Sequence, residues 1–169
     1  MTHRSVRTEI RQSRPFRSRA QEATVALLRT ASVVGRTFTR VLDPYALSFA
    51  QYNALRIIRG AGAGGIPTLA IRERMIEEGT TITRLLDKLE TAGLIRRERS
   101  FPDRRQVLCF VTAEGKRLLN QIDPLVDAAD EAAVAALSDA QVEQLIDLLD
   151  IVRASNAERG APRTVARSG

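Results

Sequence analysis

Between Leu69 and Val111 the spacing of apolar residues changes twice, and that change restricts the fold more than any other feature of the chain. Thr68 is placed to cap a short helix from Leu69 to Ile76. Glu77-Glu78-Gly79 then makes a tight turn, and a helical period resumes from Thr80 to Thr91. In this second helix Ile82, Leu85, Leu86 and Leu89 fall on one face, leaving Thr81, Thr83, Arg84, Asp87 and Lys88 towards solvent. Gly93 stops it where a left-handed backbone is cheap. The period then becomes that of a strand. Leu94-Ile95-Arg96-Arg97-Glu98-Arg99 is apolar, then basic; Ser100–Arg105 forms a charged tip with Pro102; Gln106–Val111 returns. Two helices across a tight turn, then a two-stranded hairpin, is the expectation.

The flanks are helical. Val25, Leu28, Ala31, Val34, Phe38 and Val41 recur every three or four positions, which predicts a helix over residues 20–42 ended by Asp43-Pro44. Ser48 with Gln51 is a capping box opening a helix through Tyr52, Leu55 and Ile58. The glycine run from Gly60 to Gly65 lacks the Lys-Ser or Lys-Thr of a phosphate loop and reads as a turn into a short extended piece. Thr112 is placed to cap a long helix that Pro124 bends without ending, and Ser138 with Gln141 opens a final helix. Residues 1–18 and 157–169 lack apolar period and are expected to be disordered tails. The fold class expected is therefore mainly α with a small β hairpin. A single domain over 19–156 would hold a winged helix-turn-helix at 48–112 and dimerisation helices at 20–42 and 113–156.

Charge sharpens this division. The net charge is +6, yet from Phe110 to Asn156 only Lys116, Arg117 and Arg153 stand against nine acids. Arg84 to Arg105 carries seven basic residues against Asp87, Glu90, Glu98 and Asp103, and residues 1–20 carry six arginines against Glu9. A basic middle on an acidic carboxyl half points to a module that faces a polyanion. His3 is the only histidine and Cys109 the only cysteine. That disfavours histidine-based metal sites and catalytic triads, excludes an intrachain disulfide, and argues for a reduced, cytoplasmic protein that is not an enzyme and needs no cofactor. No apolar run is long enough to span a membrane. Cys109 alternates with Leu108 and Phe110, which favours a buried, inert thiol over a redox sensor.

A helix about 10–12 Å across fits the major groove of duplex DNA, and residues near its amino end meet base edges. Thr80, Thr81 and Thr83 are small donors and acceptors suited to that position; Arg84 can reach a guanine edge or a phosphate, and Lys88 lies one turn further on. A tip with Arg104 and Arg105 can lay an arginine into the adjacent minor groove, with Asp103 pairing to one of them as structural support. The stripes including Leu28, Val34, Phe38, Leu125, Leu145, Ile146 and Leu149 exceed what a small winged domain buries alone, which argues for a homodimer. Its twofold axis would match a near-palindromic operator. A winged helix that binds protein instead of DNA is the alternative.

Leu47 to Leu55, Thr81 to Glu90, Gly93-Leu94-Ile95-Arg96-Arg97, Asp103-Arg104-Arg105 and Val111-Thr112-Ala113-Glu114-Gly115 together resemble the MarR (multiple antibiotic resistance regulator) family over about residues 25–155. The resemblance implies a dimeric transcription regulator, often a repressor released from its operator by a small phenolic or hydrophobic effector. It implies that the first and last two helices interlock in the dimer, and that Thr80, Thr81, Thr83, Arg84 and Arg104 contact DNA while Asp103 orients the wing, through Arg105. Two features depart from the pattern. Glu77 and Glu78 place acids beside the expected phosphates, and the arginine-rich stretch before residue 20 is either an electrostatic arm or sequence ahead of the true start.

Overall fold

A computed structural model describes residues 4–77, 79, 81–100 and 106–160, with side chains as far as 157. The helices are α1 (Val6–Glu9), α2 (Arg19–Leu42), α3 (Phe49–Gly60), α4 (Thr68–Arg74), α5 (Ile82–Thr91), α6 (Ala113–Val134) and α7 (Asp139–Gly160). The strands are β1 (Ile66–Pro67), β2 (Ile95–Arg99) and β3 (Val107–Val111). The expected hairpin is present as β2 and β3, antiparallel, with Arg97 opposite Cys109. A third strand joins it. Ile66 and Pro67 pair with Cys109 and Leu108, so β3 is central in a sheet of order β1-β3-β2. Gly65 enters this strand at φ +66°, and a Cβ there would lie 2.5 Å from the Phe110 ring, so only glycine fits. The glycine run thus serves a sheet edge.

Local chemistry sets the helix ends. Ser48 Oγ accepts from Gln51 N at 3.2 Å while Gln51 Oε1 accepts from Ser48 N at 2.9 Å, the reciprocal box expected. Thr68 does not cap α4. It is the first helical residue, Pro67 holds the cap position with φ −62° and ψ 143°, and the helix ends at Arg74 rather than Ile76. Proline before a helix fixes the chain for entry without a side-chain acceptor. The amino-terminal segment also differs from expectation. Residues 6–9 form α1, capped by Ser5, and Glu9 pairs with Arg29 of α2 at 3.0 Å. At the other end α7 runs to Gly160, three residues beyond the start of the expected tail; residues 161–169 lie outside those described.

The chain forms two compact units, Met1–Ala129 and Asp130–Gly169. In the first, Leu42, Leu55, Ile58, Ile71, Leu86, Leu89, Leu119 and Ile122 are fully buried, joining α2, α3, α4, α5 and α6 in one core. Phe38, expected at a dimer surface, is only 9% exposed and packs on Phe49, ring centroids 5.4 Å apart. It serves the core of its own unit. In the second unit α7 has no buried side chain among the described residues.

Candidate nucleic-acid interface

α5 is held by its apolar face. Leu86 and Leu89 are fully buried, Leu85 nearly so and Ile82 half-buried, as the helical period requires. The helix ends in a double turn at Gly93, φ +71°, where Gly93 N donates to Glu90 O and Leu94 N to Leu89 O. From there β2 and α6 are tied together by Thr112. Its hydroxyl accepts from Gly115 N at 3.0 Å, capping α6, and directs its own proton towards Gly93 O at 2.7 Å and Leu94 O at 3.1 Å. Gly115 is buried, and a Cβ on it would stand 2.2 Å from Leu94 O. The Thr-Ala-Glu-Gly run is therefore a requirement of close packing between the wing base and α6.

On the opposite face of α5, Thr81, Thr83, Arg84 and Lys88 are exposed. Their side chains form no hydrogen bond or ion pair with any described residue. Thr81 occupies the amino-terminal cap position without a side-chain capping bond. Arg84 and Lys88 border a recess that also includes Ser48 and Gln51 at the start of α3. Thr80 and the tip residues Asp103, Arg104 and Arg105 lie outside the described residues.

Charge on this face is sorted by an ion-pair cluster that the sequence pattern did not single out. Arg97 of β2 donates to Glu90 Oε2 from Nε at 2.8 Å and from a terminal nitrogen at 2.6 Å, and to Asp87 Oδ1 at 2.7 Å. Its backbone N–H also reaches Glu90 Oε1 at 3.0 Å. The Arg97 hydrogen bonds hold the Glu90 carboxyl below its ordinary range, and the same bonds raise Arg97. Both acids of α5 are thereby engaged by one guanidinium, which offsets one of their two charges, and with Arg84 and Lys88 the face stays net positive. Arg96, by contrast, lies over the Phe110 ring at 4.2 Å and pairs with Glu98.

A part-buried hydrogen-bonded group links α3 to α6. Tyr52 donates to Asp123 Oδ1 at 2.9 Å, and Arg59 pairs with Asp123 Oδ2 at 2.7 Å. Burial, reinforced by the bond to Asp123, pushes the Tyr52 phenol up to about 12. Asn53 Oδ1 accepts from Ile76 N at 2.9 Å and fixes the chain as it leaves α4. A cavity of about 400 Å³, lined by Pro67, Thr68, Leu69, Arg72, Ile82, Gln106 and Val107, lies beside the first turn of α5.

Two helices across a short turn, followed by a sheet whose hairpin pairs back on the second helix, have counterparts in known proteins. Residues 47–107 match the model of the MarR family. Transcriptional regulator HosA of Escherichia coli O157:H7 is 32% identical over 99 residues, 59% of this chain and 72% of HosA. The chain belongs to the MarR family. A MarR transcription factor from Planctomyces limnophilus shares the fold with a TM-score of 0.63 and 32% identity, over 81% of this chain and 99% of that one. A mutant MarR of Escherichia coli, solved with operator DNA, gives 0.69 at 25% identity, covering 75% of this chain and 90% of that one. Bordetella bronchiseptica BpsR, whose DNA binding is regulated by 6-hydroxynicotinic acid, gives 0.69 at 19% identity over 78% and 98%. That last likeness is one of fold.

Set in the MarR fold, the expected positions divide into three groups. Thr81, Thr83, Arg84 and Lys88 come together on one open face. Phe38 leaves the dimerisation group for the core, with Val34 half-buried against it. Leu28 is 65% exposed and Leu125 is also exposed in the first unit; in the second, Leu145 and Ile146 are exposed and Leu149 is half-buried. Cys109 is fully buried in the central strand, where desolvation raises its thiol against a lowering contact from Thr68, so it resists becoming the reactive thiolate. Among the described residues no helix is long and apolar enough to cross a membrane.

Proposed function

We propose that this MarR-family protein is a homodimeric, sequence-specific transcription regulator of the cytoplasm, a repressor that reads a near-palindromic operator through α5. One observation carries the reading: the solvent face of α5 presents Thr81, Thr83, Arg84 and Lys88 without partners among the described residues, while Arg97 engages the two acids beside them. A net cationic face with short hydroxyl side chains suits the major groove, where charge meets phosphate and hydroxyls meet base edges. It suits a protein partner poorly. The exposed face has no aromatic or large aliphatic anchor of the kind that dominates protein interfaces.

The solved relative with operator DNA supports the DNA partner. A small hydrophobic or phenolic effector is supported by the ligand-regulated fold neighbour and by the cavity beside α5, whose wall joins Leu69, Ile82 and Val107 to the cation of Arg72. Such a ligand weakens DNA binding only if it prefers the DNA-free conformation in free energy. Sequencing the genomic fragments that the purified protein retains tests the function. A shared twofold sequence is the expected result; random fragments reject sequence-specific regulation. On that sequence Arg84→Ala should cost about 1–3 kcal/mol against the cognate base and less against others.

A further inference from the structure

Asp87 lies on the solvent face of α5 and plays no part in the contacts proposed above. It follows Thr83 by four residues and Arg84 by three, so the three side chains are neighbours on one surface of the helix. Its side chain is 51% exposed and is held from one side: Oδ1 accepts from a terminal nitrogen of Arg97 at 2.7 Å. Oδ2 has no partner among the described residues. Arg97 is itself fixed. Glu90 takes its backbone N–H at 3.0 Å and its Nε at 2.8 Å, and β2 sets it opposite Cys109. Asp87 is therefore anchored towards the wing and not towards Arg84, although opposite charges three residues apart on a helix can pair. One carboxylate oxygen is left in a fixed position beside an open cation.

We infer that Asp87 is a specificity-determining residue of α5, accepting a hydrogen bond from the N4 amino group of a cytosine in each half of the operator. The inference rests on the DNA-binding reading given above. An ionised carboxylate only accepts, so phosphate repels it and a donor alone offsets its loss of water. The major groove offers two such donors, N4 of cytosine and N6 of adenine. Adenine places its N7 acceptor beside the amino group, which opposes a carboxylate; cytosine does not. The guanine opposite that cytosine presents O6 and N7, which suit an arginine. Arg84 and Asp87 thus offer opposite chemistry to the two bases of a G·C pair. Charge alone predicts something different. Removing an acid that only repels phosphate strengthens binding to any duplex, whereas removing a base reader weakens the choice at one position.

The test measures binding of the intact protein, Asp87→Ala, Asp87→Asn and Glu90→Gln to a retained operator, to duplexes with each base pair of a half-site exchanged in turn, and to random DNA. Asp87→Ala should bind random DNA at least as tightly as the intact protein and lose about tenfold or more in discrimination at one C·G position. Asp87→Asn keeps the shape, adds a donor and should shift that position towards adenine. Glu90→Gln, which alters the other acid on Arg97, should leave every base preference in place. A further arm needs no variant: pyrimidinone, which is cytosine without its amino group, replaces each cytosine of the half-site in turn. The intact protein should lose about tenfold at one position, and Asp87→Ala should be indifferent there. An equal change on every duplex in Asp87→Ala overturns the inference, as does an intact protein that never distinguishes cytosine from pyrimidinone. The same loss of preference in Glu90→Gln would assign the effect to the ion pair and also overturn it. If the intact protein binds the operator no more tightly than random DNA, the sequence-specific reading itself fails.

Discussion

The winged lobe and the long flanking helices treat their apolar residues in opposite ways. In the lobe, Leu55, Ile58, Ile71, Leu86 and Leu89 are all fully buried, and polar groups at its seams have partners. In α2 only Phe38 and Leu42 are buried, while Leu27, Leu28 and Val33 are exposed. In α7 Ile146 and Ile151 are 52% and 65% exposed. Apart from Leu69 and Ile76, which are 55% and 68% exposed, the lobe closes its core within one chain. The flanking helices carry an apolar surplus that a single chain leaves in water, which is the physical ground for proposing a second copy.

That contrast can be broken by mutation. Leu86→Ala removes atoms from the sealed core and should cost about 2–5 kcal/mol in denaturant unfolding. Its effect should be the same at low and high protein concentration once both are fully dimeric. Ile146→Asp should leave the lobe folded and shift the sedimenting species from dimer to monomer. A dimer that survives Ile146→Asp together with Leu28→Asp would remove the distinction between the regions.

Tyr52 sharpens the comparison where the lobe meets α6. Its folded pKa of about 12 exceeds the ordinary value of 10.0, so the proton is kept in the folded state and lost in the unfolded one between those values. Its contribution is fully present below pH 10 and declines as pH rises towards 12. Over that window the intact protein should lose on the order of 2 kcal/mol more stability than Tyr52→Phe. Parallel pH profiles would show that the phenol is not held in this way.

Glu90 sets the smallest effect. Its carboxyl is held below the ordinary range by Arg97, so the stabilisation is present above the unfolded value near 4.3 and lost as pH falls through the lower folded value. The pair is partly exposed, so Glu90→Gln should cost less than about 1 kcal/mol at pH 7, and progressively less as pH falls through the lowered folded value. A cost that persists in acid would assign the effect to packing.

Much of α5 was legible because its signals are local. Four apolar residues at helical spacing define the buried face, and a glycine defines the end. The same holds for the capping box at Ser48 and for Thr112. What escaped depends on contacts between elements. Arg97 and Glu90 are separated by the turn at Gly93, so each reads as a loose charge until β2 folds back on α5. Ile66-Pro67 is too short to show a strand period and becomes a strand only because Cys109 and Leu108 lie opposite. Residues 6–9 show no period either, and their helix is secured by a pair between Glu9 and Arg29. Phe38 shares the stripe of Leu28 and Val34, but α3 reaches only the carboxyl end of α2 and covers it with Phe49.

The central claim is that two copies of α5 occupy successive major grooves on one side of a duplex. Methylation protection at guanine N7, an atom of the major groove, tests it most directly on a fragment the protein retains. The account predicts two protected segments about 10 base pairs apart, related by a twofold axis, with both lost in Arg84→Ala together with Lys88→Ala. Guanines that stay fully reactive at saturating protein, or a single protected segment, would contradict it.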